Sequence, residues 1–101
     1  MNKVENEFIE KGAVIMRPSG KWFVMSKENS MEFVEACKKE SIGILGIDGF
    51  YLVEQGIQPS MENSIDFSDW NYKGSKDSHY EAIKFLRERD EDLYFEIVCN
   101  S

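Results

Sequence analysis

The spacing of apolar positions changes several times along the chain, and each change marks an element. The mixed, polar opening of residues 1–12 predicts a short helix ending at Gly12. Residues 13–17 (AVIMR) and 22–25 (WFVM) are short apolar runs joined by Pro18-Ser19-Gly20, which predicts two strands of a hairpin. From residue 29 the period lengthens. Asn29 precedes Glu32 at the spacing of a capping box, and Met31, Phe33, Val34, Cys37 and Ile42 form an apolar stripe. Lys38 and Lys39 suit the negative end of a helix dipole, so a helix is predicted over 30–40.

A glycine-rich stretch follows. Residues 42–47 read as a short buried strand, Asp48-Gly49 as a hairpin turn, and 50–54 (FYLVE) as the return strand. Gln55-Gly56 predicts a further two-residue turn. Residues 64–67 (SIDF) alternate, which predicts a strand with Ile65 and Phe67 inward and Asp66 outward. Ser78 and Glu81 repeat the capping-box spacing before a second helix over 79–89. Tyr80, Ile83 and Leu86 mark its apolar face, with Ala82 and Phe85 alongside. Residues 93–99 (LYFEIVC) close the pattern as a strand. The order ββ-α-ββ(β)-α-β predicts an α+β fold, a small, mostly antiparallel sheet with two helices packed on one face, in a single domain over 1–101.

The spacing Gly43-x-x-Gly46-x-x-Gly49 raises the question of a phosphate loop. Such a loop needs converging backbone amides, a helix directly after it, and a nearby cation. Here FYLV follows, and the nearest basic residues in sequence are Lys39 and Lys73. Gly43 and Gly46 are instead expected to let the backbone pass close to a neighbour, and Gly49 and Gly56 to take positive-φ turn positions.

With 101 residues, 42% of them apolar and 31% charged, the chain has the composition of an ordinary globular domain. Cys37 and Cys99 form no C-x-x-C pattern and are read as two buried thiols in a reducing compartment, with a disulfide between them as the open alternative that no sequence feature favours. The opening MNKVENEFIEKG has no apolar core of a signal peptide, and no apolar run approaches the ~20 residues that span a bilayer. A cytoplasmic protein is expected. Net charge is −7, and between Lys39 and Lys73 there is no Lys or Arg while Glu40, Asp48, Glu54, Glu62, Asp66 and Asp69 accumulate. Charge of one sign disfavours nucleic acid and anionic membranes and favours a cationic partner.

Candidate chemistry is sparse. The single histidine, His79, falls at the predicted start of the second helix, where a polar helix-start role outweighs that of a base oriented by Asp66 or Asp69. No Cys/His cluster has metal-ligand spacing, and Glu62, Asp66 and Asp69 lack the pattern of a calcium loop, so neither a metal nor another cofactor is expected. No nucleophile elbow is present, and an enzyme is not expected. The segment SIDFSDWNY (64–72) stands apart, because it interleaves Asp66 and Asp69 with Phe67, Trp70 and Tyr72. Carboxylates beside aromatic anchors suit an Arg- or Lys-rich protein surface through charge-assisted and cation–π contacts.

The combination of IGILGIDGFYL with the later IDFSDW, over roughly residues 29–70, resembles a pattern in small bacterial immunity proteins of polymorphic toxin systems. The resemblance implies a non-enzymatic inhibitor that binds a cognate protein toxin, in many cases a nuclease with a basic surface. The expected partner-facing residues are Asp48, Glu54, Glu62, Asp66, Asp69, Trp70 and Tyr72. Two other classes compete: a self-associating module pairing through a sheet edge, and a small-ligand-binding regulator or enzyme with a pocket near Asp69, Trp70 and His79.

Overall fold

The computed structural model describes residues 2–15, 23–54, 56–67 and 76–100. Its elements are α1 (Lys3–Glu10), β1 (Met25–Ser26), α2 (Lys27–Lys39), β2 (Gly43–Val53), β3 (Gly56–Asp66), α3 (Lys76–Arg87) and β4 (Leu93–Asn100). The fold is α+β. The four strands among the described residues form one antiparallel sheet in the order β1-β4-β2-β3. Of the expected N-terminal hairpin, the reciprocal bridge between Ile15 and Val24 is present, whereas Met25 belongs to β1, which pairs with β4, and residues 16–22, with Pro18-Ser19-Gly20 among them, lie outside the described residues.

Helix α1 starts at a capping box: the Asn2 side chain accepts from the Glu5 amide, and Glu5 accepts from the Asn2 amide, both at 2.8 Å. It ends at Gly12, whose φ of +74° allows the amides of Gly12 and Ala13 to reach back to Ile9 and Phe8. Helix α2 begins three residues before the expected start. Ser26 is both the last residue of β1 and the N-cap, its hydroxyl accepting from the Asn29 amide at 3.2 Å, so strand passes into helix without a loop. Asn29 lies inside the first turn, and its side chain donates to the Ala13 carbonyl instead. The end of α2 repeats the end of α1 without a glycine. The Ser41 and Ile42 amides return to Lys38 and Cys37, and Ser41 takes φ +60°. Helix α3 also starts earlier than expected, so Ser78 is not its cap. The Ser78 hydroxyl is buried and accepts from the Ile44 amide at 3.5 Å. Lys27, at the start of α2, donates to the carbonyls of Arg87 and Arg89 at 3.0 and 2.7 Å, which satisfies the end of α3 with a cation.

The sheet departs most from the sequence pattern at Asp48-Gly49. These residues make no turn; they sit in the middle of β2, which runs unbroken through the two strands expected on either side of them. The reversal comes later, where Val53 pairs with Gly56 at φ +139°. Gly49 is needed for another reason. Between Ile47↔Ile65 and Gly49↔Ser60 a single β2 residue faces four on β3, and the bulged segment folds its Asn63 carbonyl onto Gly49. An added Cβ there would collide with that carbonyl and lie 3.0 Å from the Asn63 Cβ. The Gly49 amide donates to the Ser64 hydroxyl at 3.1 Å, which donates to the Ser60 carbonyl at 2.8 Å, so a side chain replaces the lost ladder bond. Gly46 does allow a close approach, as expected, to the Ile65 carbonyl.

Helices α2 and α3 pack against each other and onto the sheet, and α1 packs on α2. Phe33 is fully buried and receives Phe8 and Phe23 edge-on, with centroids 5.2 and 5.9 Å away. Around it lie Val34 and Cys37 from α2, Ala82 and Leu86 from α3, Ile44 and Ile47 from β2, and Phe95 and Ile97 from β4. Tyr80 does not join the buried face of α3; it is 69% exposed, while Ser78, His79, Ala82, Phe85 and Leu86 face inward. No helix among the described residues is long and apolar enough to cross a membrane.

Replacing Gly49 by Ala is expected to destabilise the fold by about 3 kcal/mol in urea unfolding, because a backbone carbonyl cannot yield to the new methyl. Ser41→Gly is expected to stabilise it by about 0.5–1 kcal/mol by removing the positive-φ penalty. A Gly49→Ala variant as stable as the parent would show that the bulge does not constrain this site.

Candidate functional site: the open face of the sheet

Because the helices cover one face, alternate positions of the strands point away from them. On β4, Leu93, Phe95 and Ile97 are buried, whereas Glu96 is half-buried and Val98 exposed. On β2, Ile47 and Gly49 are buried and Asp48 is exposed. The register sets Asp48 directly opposite Glu96. An irregularity between Ile44 and Gly46 precedes this pair and places Val98 beside Gly46. On the other side of β2, Gly46 is paired with Asp66. These strands meet at an open groove of about 460 Å³, lined by Asp48 and Asp66 with Leu45, Met61, Ile65 and Val98. Met61, at the bulge of β3, is 86% exposed.

The electrostatics of this face are one-sided. Glu96 has its carboxyl held above the ordinary 4.5, first by burial, which penalises the ionised form, and then by the Asp48 charge. No ion pair among the described residues reaches Asp48 or Glu96. Like charges directly opposite on neighbouring strands weaken the pairing, so Asp48 and Glu96 present a local negative field that no cation among the described residues pairs with.

Of the residues expected to face a partner, Asp48 and Asp66 are brought together in the groove. The alternation expected around Asp66 holds, with Asp66 exposed and Phe67 buried. Glu54 lies apart, exposed at the tip of the β2–β3 hairpin. Glu62 sits in the β3 bulge, and its carbonyl accepts from Arg89 at 3.5 Å, beyond the end of α3. Asp69, Trp70 and Tyr72 lie outside the described residues. The sequence pattern did not point to Glu96, Val98 or Met61. The polar break at Glu96 in LYFEIVC was visible, but its partner depends on which strand lies beside β4.

His79 does lie in the first turn of α3, as its fourth residue rather than its first. It is 3% exposed, and Nε2 donates to the Ile42 carbonyl at 2.6 Å, tying the first turn of α3 to the entry of β2. Among the described residues no group of three or more His, Cys, Asp and Glu side chains could hold a metal ion. The chain matches no protein-family model and no curated protein sequence.

The raised Glu96 carboxyl has a defined consequence for stability. The folded state holds this proton more tightly than the unfolded chain, so the contribution of Glu96 to stability is greatest below 4.5 and falls as pH rises through the raised value. Glu96→Gln is expected to remove that decline. In urea titrations the variant should match the parent at about pH 4 and exceed it at about pH 7, with Asp48→Asn giving part of the same gain. Parallel profiles for parent and variant would mean that the two carboxylates do not interact.

Proposed function

We propose that this chain is a non-enzymatic, immunity-type protein that binds and neutralises a cationic protein toxin through the open face of its sheet. The observation that carries the reading is the Asp48–Glu96 pair beside the Asp66 groove. Two carboxylates set against each other cost the free protein stability, and an Arg or Lys inserted between them turns repulsion into two charge-assisted contacts. The apolar surface of Met61, Val98, Leu45 and Ile65 supplies area that excludes water around such a cation.

The stretch that carries the resemblance to immunity proteins, residues 29–70, includes the strands β2 and β3 that bear Asp48 and Asp66. A nuclease toxin is a fitting target, because a surface that binds phosphates is basic and complements this face. The reading also places the protein in the cytoplasm. The alternative of a ligand pocket near Asp69, Trp70 and His79 draws less from His79, which is buried and whose Nε2 donates to a backbone carbonyl.

The test starts with capture of a basic partner from source cells at low salt, followed by titration calorimetry and a toxicity assay with the purified partner. An Asp48→Asn, Glu96→Gln double variant is expected to bind at least about tenfold more weakly and to lose protection against the toxin, with binding also falling at high salt. Because a bound cation favours ionised Glu96, association should weaken as pH falls toward 4.5. Unchanged affinity in the double variant would remove the assignment of this face, and a partner without toxicity would remove immunity as the function.

A further inference from the structure

The two cysteines stand 62 residues apart in sequence, yet their sulfurs lie 4.0 Å apart. Cys37 is on the inner face of the last turns of α2 and fully buried; Cys99 is near the end of β4 and half-buried. The open sheet face uses neither of them. Two thiols in van der Waals contact on different elements need only a small local movement to reach a bonding distance of about 2.05 Å. Cys99 is placed for that movement, since only Asn100 follows it in β4.

We infer that Cys37 and Cys99 form a reversible redox dithiol, in which Cys99 reacts first with a small disulfide such as oxidised glutathione and Cys37 resolves the adduct. The Cys99 sulfur attacks one sulfur of the oxidant, whose S–S bond breaks and releases one glutathione thiol. Cys37 then attacks the Cys99 sulfur, breaks the mixed S–S bond and releases the second glutathione. The two protein thiols are oxidised, the oxidant is reduced, and both thiol protons leave on the two glutathione molecules.

The surroundings favour this order of attack. The hydrogen bond between the sulfurs lowers the Cys99 thiol, with help from the Asn2 side chain and against burial and the nearby Glu5 charge. The same hydrogen bond, then burial, the Cys99 charge and Glu5, push the Cys37 thiol up. The first step removes the Cys99 negative charge and therefore frees Cys37 for the second. The product would tie α2 to β4, the strand that carries Glu96 and Val98, and close a long loop of chain. The inference is independent of the proposed partner.

The experiment incubates the folded, full chain in glutathione buffers of increasing GSSG content, followed by intact mass and peptide mapping. A monomer lighter by two hydrogens, a Cys37–Cys99 linked peptide and reversal by dithiothreitol are expected, with a rise in Tm of about 10 °C on closure. Cys37→Ala should accumulate a glutathione adduct at Cys99, and Cys99→Ala should react far more slowly. Persistence of both thiols in the folded parent, under conditions where the urea-unfolded chain oxidises, would overturn the inference. So would disulfide-linked dimers as the sole product, or equal reactivity of the two single variants.

Discussion

Among the described residues the helices cover the sheet on one face only, and that imposes a division on every strand that crosses it. One set of alternate positions must exclude water, and the other is released from that demand. In this protein α2 and α3 lie on the covered side, and their apolar stripes meet Ile44, Ile47, Phe95 and Ile97 there. The released positions of β2 and β4 carry Asp48, Glu96 and Val98. A second helical layer would have forced these to be apolar, because buried carboxylates without partners are expensive. The acidic face is thus a product of the architecture as much as of the local sequence.

Irregular pairing then decides which residues share that face. A strict two-residue alternation through residues 44–49 would put Ile44 and Ile47 on opposite sides. The irregularity beside Leu45 corrects the phase, so both isoleucines are buried and Asp48 is turned outward. The larger bulge in β3 works differently. It projects Met61 toward the groove and lays the Asn63 carbonyl on Gly49, with the Ser64 hydroxyl carrying the hydrogen bond that backbone pairing cannot. One irregularity precedes Asp48 and the other lies opposite it.

These features explain which parts of the fold were legible in the sequence. Helical periodicity in α2 and α3 and the Val/Ile/aromatic run of β4 are local signals, and they located those elements. Gly12 announced the end of α1, because glycine is the common residue at a positive-φ terminus. Ser41 adopts the same conformation at the end of α2 and carries no such signature. The Asn29–Glu32 and Ser78–Glu81 spacings resembled caps, yet helices had already begun upstream of each. Asp48-Gly49 suggested a turn through its composition, whereas the glycine is required by a carbonyl from fourteen residues further along the chain. For the candidate site, the outward position of Asp66 followed from alternation. The pairing of Asp48 with Glu96 could not, since strand order is a property of the whole chain.

The junction at Ser26 has a different kind of consequence. One residue ends β1, and its hydroxyl caps α2, so the edge of the sheet and the principal helix share a boundary with no slack. The next residue, Lys27, grips the last carbonyls of α3. An inserted residue at this point would rotate α2 by about 100° about its axis, carrying Phe33 out of the core and Lys27 away from its acceptors. The chain length between the sheet edge and the helix is therefore fixed at the 26–27 peptide by the cap on one side and the Lys27 contacts on the other.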